Sequence, residues 1–248
     1  MAEVSAASHA SEHEPTTTGL SHRKLLMWAF LGSDCMFFGS LIATYLVYKG
    51  ESVRGPEPID VFSIPTTSVS TFVLLMSSMS MVLAYAALTR GSLKGFRIWI
   101  LSTAIMGMTF LAFQTFEFRD FANHEVVINC QGEAAFTDLP AKMSQAKVNE
   151  LSEQCDGGAE EAEVSFGVTP KTNLFGTTFF TLTGFHGAHV TLGVVWLLSL
   201  FFFSFKRGAV TPERNLDVDL AALYWHFVDI VWIIIFTVVY LFGVFEGF

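Results

Sequence analysis

Five long apolar runs divide this chain, at about 25–48, 65–89, 96–118, 173–205 and 220–245, with polar or charged segments between them. Each reaches the roughly 20 residues that a helix needs to cross a bilayer, and none has the short alternating pattern of a barrel strand. In hydrocarbon every backbone N–H and C=O must be satisfied within its own segment, so helix is expected even through β-branched stretches such as 231–239. The expected fold class is all-α, a polytopic membrane protein built as a bundle of five transmembrane helices.

Composition agrees: 52% of the 248 residues are hydrophobic and 15% are charged, which separates the chain from ordinary soluble domains. The expected organisation is a flexible cytoplasmic tail over 1–24, a transmembrane domain over 25–245, and within it a long acidic outer loop over 119–170. The tail is rich in Ser, Ala, Thr and Glu and has almost no large apolar side chain. The first apolar run continues past the length of a cleavable signal segment, so it is expected to be kept as a span.

The net charge of −9 says less than the placement of charges. Arg23, Lys24, Arg90, Lys94, Arg97, Lys206, Arg207 and Arg214 make eight of the fourteen Lys/Arg residues, all on one side if the helices alternate. The positive-inside rule then places the amino terminus in the cytoplasm and the carboxyl terminus outside. The outer loop holds ten Asp/Glu residues, and also Cys130 and Cys155. A disulfide between these two would close a loop of about 25 residues and contribute about 3.5 kcal/mol in the simple loop-entropy estimate. Cys35 lies inside the first run, where a small apolar filler is expected.

The polar groups inside the apolar runs need a reason. Asp34 falls ten residues after Lys24, roughly 15 Å deep at 1.5 Å per residue. A central Asp costs roughly 2.5–3.5 kcal/mol to insert, so it requires a structural partner, a lipid or partner contact, or a proton to transfer. Gln114 and Glu117 share a helical face with Phe110, and Glu117 is near enough to the outer end to be either interfacial or structural. His186 and His189 are three apart, as are His226 and Asp229. Each pair resembles half a metal site, yet His189 and Asp229 are equally able to satisfy one another between helices. Gly184, Gly187, Ala188 and Gly193 favour close helix approach. Trp225 and Trp232 are seven apart and share a face suited to a lipid groove or to packing, with Trp225 also suited to the inner interface. No nucleotide loop, zinc-finger pattern or basic aromatic stripe is present, so no nucleic-acid partner is expected and no residue is assigned as catalytic.

Four segments taken together carry a resemblance: LGSDCMFFGSLIATYLVYKG in the first run, GMTFLAFQTFE from Gly107 to Glu117, TGFHGAHVTLG from Thr183 to Gly193, and YWHFVDIVW from Tyr224 to Trp232. In order and spacing they resemble subunit III of the haem–copper respiratory oxidases, in the five-span form that lacks the first two helices of the longer version. The resemblance covers about 25–245 and excludes the tail and much of the 119–170 loop. Asp34 matches the family's intramembrane carboxylate position, where many cytochrome c oxidase forms have Glu, which leaves the electron donor open.

The resemblance implies a non-catalytic subunit of a bacterial plasma membrane complex that binds no redox cofactor itself. Haem and copper would lie in partner subunits, and structural phospholipid in a V-shaped cleft of this one. The implied partners are oxidase subunits I and II, membrane phospholipids, and cytochrome c as donor to the complex, with a respiratory supercomplex as the wider assembly. Asp34, Gln114, Glu117, His186, His189, His226 and Asp229 would then serve proton access, lipid or packing. Quinol is the alternative donor. A stand-alone proton-coupled transporter is the alternative of a different class, although no inverted repeat is evident.

Overall fold

The computed structural model describes residues 21–49, 64–123, 125–130, 143, 145–158, 161–165, 167–206, 208, 210–212 and 215–242. Most of the expected tail and part of the acidic loop lie outside these residues. Among them are five helices long and apolar enough to cross a membrane: α1 (His22–Tyr48), α2 (Ile64–Thr89), α3 (Leu93–Ala122), α5 (Leu174–Phe203) and α6 (Leu216–Ile235). The last continues through a π-helical turn, Phe236–Leu241. A short helix, α4 (Gln145–Asp156), and two strands, β1 (Glu125–Asn129) and β2 (Glu161–Ser165), lie between α3 and α5. The membrane part is all-α, and the small sheet is an addition that the apolar pattern does not announce.

Helix α2 turns back into α3 through a tight C-terminal motif. Ser92 N–H donates to the Ala87 carbonyl and Gly91 N–H to that of Leu88, each at 2.9 Å. Gly91 has φ +79°, the left-handed conformation this termination needs. Ser92 then caps α3 by accepting from Gly95 N–H at 3.3 Å. Asn173 does the same for α5, accepting from Gly176 N–H at 2.7 Å.

Helix α3 packs on α2 and α5, α6 packs on α2 and α5, and α1 leans on α5 and α6. Helix α1 is the peripheral member. Its buried residues are Leu31, Phe38 and Tyr45, a single stripe of seven-residue spacing, while Met36 on the other side is 79% exposed. Its ends are pinned by charge. Arg23 meets Asp217 at 2.5 Å and Lys24 meets Asp219 at 2.7 Å, where both carboxylates lie in the first turn of α6. At the other end Lys49 Nζ donates to the Phe242 carbonyl at 2.6 Å. Carboxylates at a helix start and an ammonium at a helix end both suit the helix dipole. α1 and α6 therefore run parallel.

Cys130 and Cys155 are joined by a disulfide. It closes the unit formed by β1, α4 and β2, whose small core is Leu151, Ala162 and Val164, packed against Met143. The strands pair antiparallel with Val127 opposite Glu163.

Candidate functional site

Helix α2 carries a buried stripe in which Thr67, Ser70, Thr71, Ser77 and Ser80 alternate with Leu74, Met81, Ala84 and Leu88. In an apolar bundle each hydroxyl must satisfy its own proton and can still accept. Ser77 Oγ donates to the Leu74 carbonyl at 2.5 Å and accepts from Trp225 Nε1 at 3.0 Å. Thr71 Oγ1 donates to the Thr67 carbonyl at 2.7 Å and accepts from Trp232 Nε1 at 3.0 Å. Two indoles seven residues apart on α6 are thus matched by two hydroxyls on α2. Both Trp side chains are 1% exposed, so packing rather than a lipid-facing surface or the membrane interface is what this chain makes of them.

Around these indoles the helices come close because glycine is present. A Cβ on Gly107 of α3 would stand 2.6 Å from Trp225, and one on Gly193 of α5 would stand 2.8 Å from it. Gly187 serves another contact: a Cβ there would lie 2.7 Å from Gln114 Oε1, while Gln114 Nε2 donates to the Thr183 carbonyl at 2.8 Å. Gly184 has open space instead, and Ala188 is exposed.

The polar groups fall into separate pairs. Asp34 Oδ2 of α1 lies 3.4 Å from His189 Nε2 of α5, and His189 Nδ1 donates to the Phe185 carbonyl at 2.7 Å. Tyr224 OH donates to the His189 carbonyl at 2.9 Å. His186 Nε2 faces the Val228 carbonyl at 3.2 Å, within a cage of Phe38, Phe110 and Trp232 rings. Its Nδ1 is buried without a hydrogen bond. Glu117 accepts from Thr67 Oγ1 at 2.6 Å and from Tyr240 OH at 3.0 Å. It also lines a cavity of about 290 Å³ with Thr66, Phe113, Phe116, Asp120 and Phe121.

His226 Nδ1 and Ser78 Oγ are 2.5 Å apart, and Ser78 also stands beside Asp229. The expected alternative of a His189–Asp229 contact is corrected here. His189 turns toward α1 and finds Asp34, whereas Asp229 turns toward α2 and Ser78. Three residues of separation rotate His186 away from His189 by about 60°, enough to aim one at α6 and the other at α1. Cys35 is exposed on α1 rather than filling a gap in the bundle. With Trp28, Leu31, Gly32, Leu223, His226, Phe227 and Ile230 it borders a mainly apolar cavity of about 380 Å³ between α1 and α6. Among the described residues no three His, Cys, Asp or Glu side chains gather where a metal ion would sit.

Thr67, Thr71, Ser77, Ser78 and Tyr240 complete these contacts but are not singled out by sequence, because hydroxyl residues are common in membrane helices. Thr67, Thr71, Ser77 and Ser78 fall, with Leu74 between them, at three-and-four spacing along α2, which is the one signal that marks them; Tyr240 carries none.

Fold and polar interior define a class: a five-span helical membrane protein with acids and imidazoles inside the bundle, some met across helices, as Asp34 by His189 and Glu117 by Thr67, and some, as both Asp229 oxygens, buried without a hydrogen bond. Within that class the chain belongs to the cytochrome c oxidase subunit III family, which also takes in subunit 3 of quinol oxidases. The family model for cytochrome c oxidase subunit III matches residues 154–244. Cytochrome c oxidase subunit 3 of Alkalihalophilus pseudofirmus is 30% identical over 94% of this chain and 93% of its own length. Quinol oxidase subunit 3 of Bacillus subtilis is 32% identical over 87% and 85%, and cytochrome bo(3) ubiquinol oxidase subunit 3 of Pseudomonas putida is 30% identical over 88% and 84%. The resemblance drawn from the four motifs is confirmed over nearly the whole chain.

Proposed function

We propose that this chain is the accessory subunit 3 of a haem–copper terminal oxidase in a bacterial plasma membrane. It stands beside a subunit that holds haem and copper, and supports that subunit's proton uptake and durability during turnover. The carrying observation is the near full-length relationship to oxidase subunits 3. The Asp34–His189 contact, which holds an acid and a base inside the bundle, supports the proton-access part of this reading. The donor to the complex was expected to be cytochrome c. Relatives of both kinds match at similar identity, and those named as quinol oxidases reach 32%, so quinol is the better supported donor. On this reading the amino terminus is cytoplasmic, which the gathering of Arg23, Lys24 and Arg97 at one end of the bundle supports through the positive-inside rule.

The lipid reading rests on α1. It leans mainly on α5 and α6, and the apolar cavity between α1 and α6 suits an acyl chain of structural phospholipid in a V-shaped cleft. A subunit inventory and an optical haem spectrum of the gently solubilised complex test the proposal. Co-isolation with haem-containing subunits is expected, and a subunit II without a two-copper site would mark quinol as donor. Haem-free isolation of a chain that transports protons by itself would overturn the reading in favour of a transporter.

A further inference from the structure

The two free edges of the outer sheet are treated differently. On β2, Gln154 of α4 donates from Nε2 to the Glu163 carbonyl at 2.9 Å and accepts from Glu163 N–H at 2.8 Å, so one side-chain amide takes the place of a third strand. Lys147 Nζ covers the Ser165 carbonyl on the same edge. In an antiparallel pair, residues directly opposite have backbone groups that point either both inward or both outward. Glu163 points outward to Gln154, so Val127 opposite it also points its N–H and C=O away from β2, and the same alternation applies to Glu125 and Asn129. Among the described residues no backbone group meets this second edge, and Val127 is 54% exposed. An unpaired strand edge is a template for another strand.

The unit as a whole has a definite sign, and Glu125, Glu161 and Glu163 put three of its carboxylates on the exposed face of the sheet. The described part of 125–165 holds six carboxylates, Glu125, Glu150, Glu153, Asp156, Glu161 and Glu163, against one ammonium, Lys147. Glu125 and Glu163 lie diagonally across the strands on the exposed face, where like charges repel until a cation arrives. The disulfide and the Leu151 core hold the unit in one shape, so little ordering is left to be lost on binding.

We propose that the outer edge of β1 is a docking strand for an extended, basic segment of a partner polypeptide on the outer side of the membrane. The inference rests on the chain being a subunit of a larger complex. The segment adds as a strand, bonds to the outward groups of Val127, and sets a Lys or Arg side chain beside Glu125, long enough to reach toward Glu163 across β1. A second copy of this chain presents the same carboxylates and would be repelled.

The test uses the complex purified through this chain, with a photo-crosslinking amino acid at position 127 and mapping of the products by mass spectrometry. The expected product joins position 127 to a segment of another subunit carrying at least two Lys/Arg residues. Its yield should fall about tenfold when Glu125→Lys and Glu163→Lys are combined in the same background. In the complex without the cross-linker, Val127→Pro, which removes an N–H that the hairpin does not use, should lower co-purification of the same partner chain to a similar extent. A nonreducing peptide map showing the Cys130–Cys155 bridge verifies that the unit is folded in each variant. The proposal is overturned if haem-containing subunits co-purify but position 127 joins only lipid, another copy of this chain or a segment without basic residues, or if charge reversal leaves the yield unchanged. That result leaves the oxidase reading standing, whereas haem-free isolation overturns both.

Discussion

His189 Nε2 of α5 stands 3.4 Å from Asp34 Oδ2 of α1, and this contact crosses between two helices at mid-span. Because His189 Nδ1 already gives its proton to the Phe185 carbonyl, Nε2 and Oδ2 attract one another only with a further proton between them.

Substitution at position 34 tests what that contact does for α1. Asp34→Asn still offers a donor to Nε2, and should change the stability of the assembled bundle by less than about 1 kcal/mol. Asp34→Leu leaves Nε2 without a partner and should cost about 1–2 kcal/mol. Unfolding by graded detergent, followed through Trp fluorescence, separates the two. A Leu variant as stable as the parent would show that α1 is held by its Leu31, Phe38 and Tyr45 stripe and its charged ends alone.

Glycine substitutions should fall into two groups that the chain's small-residue pattern does not distinguish. Gly107→Ala and Gly193→Ala drive a methyl into the Trp225 ring from α3 and α5, at 2.6 and 2.8 Å, and overpacking of this kind costs about 1–3 kcal/mol. Gly184→Ala meets open space and should be neutral or slightly stabilising. Denaturation midpoints of the three variants measure this directly. Equal effects at Gly184 and Gly193 would contradict the placement of Trp225 between the two close glycines.

Much of the bundle is legible as hydropathy, because hydrocarbon forces the helix and length sets the crossing. The depth of Asp34 follows from counting residues. Its partner does not, since His189 and His226 are both available imidazoles and only helix rotation decides between them. The roles of Ser77 and Thr71 are hidden for a similar reason: any hydroxyl can satisfy itself by bonding back along its own helix, and its acceptor side goes unnoticed until an indole arrives. The 125–165 unit is the least legible part. Its strands are five residues long, its helix is polar, and its core is three small or medium residues closed by a disulfide.

Acid should favour the β1–β2 sheet. A hydrogen bond shared with Glu125, and then the repulsion between the two charges, raise the Glu163 carboxyl above the usual Glu range. A raised folded-state value means that the native hairpin binds this proton more tightly than the unfolded chain. Its contribution is present below the ordinary Glu pKa and is lost as pH rises through the raised one. Hydrogen exchange of 161–165, corrected for intrinsic rate, should show more protection near pH 4 than near neutrality, with pH 4 standing for about the ordinary Glu value. Glu125→Gln should flatten the difference, and a dependence that survives this change would assign it to another group.

Arg97 near the start of α3 terminates α5, and a Lys in its place should not suffice. Its Nε donates to Ser204 Oγ at 3.0 Å, its Nη2 donates to the Ser204 carbonyl at 2.5 Å, and its guanidinium lies 4.4 Å from the centroid of the Phe205 ring. The carbonyls at a helix end lack intrahelical partners and carry the negative end of the dipole, so a cation with two parallel donors meets both needs together. Arg97→Ala removes all three contacts and should cost about 2–3 kcal/mol, the range for charged hydrogen bonds at a partly buried site. Arg97→Lys keeps the charge but supplies no planar fork and stacks poorly on Phe205, so it should recover at most about half of that loss. Faster hydrogen exchange at 200–206 in both variants, with protection ordered Arg above Lys above Ala, is the expected result. If Lys protects as well as Arg, charge alone closes α5 and the fork geometry is incidental.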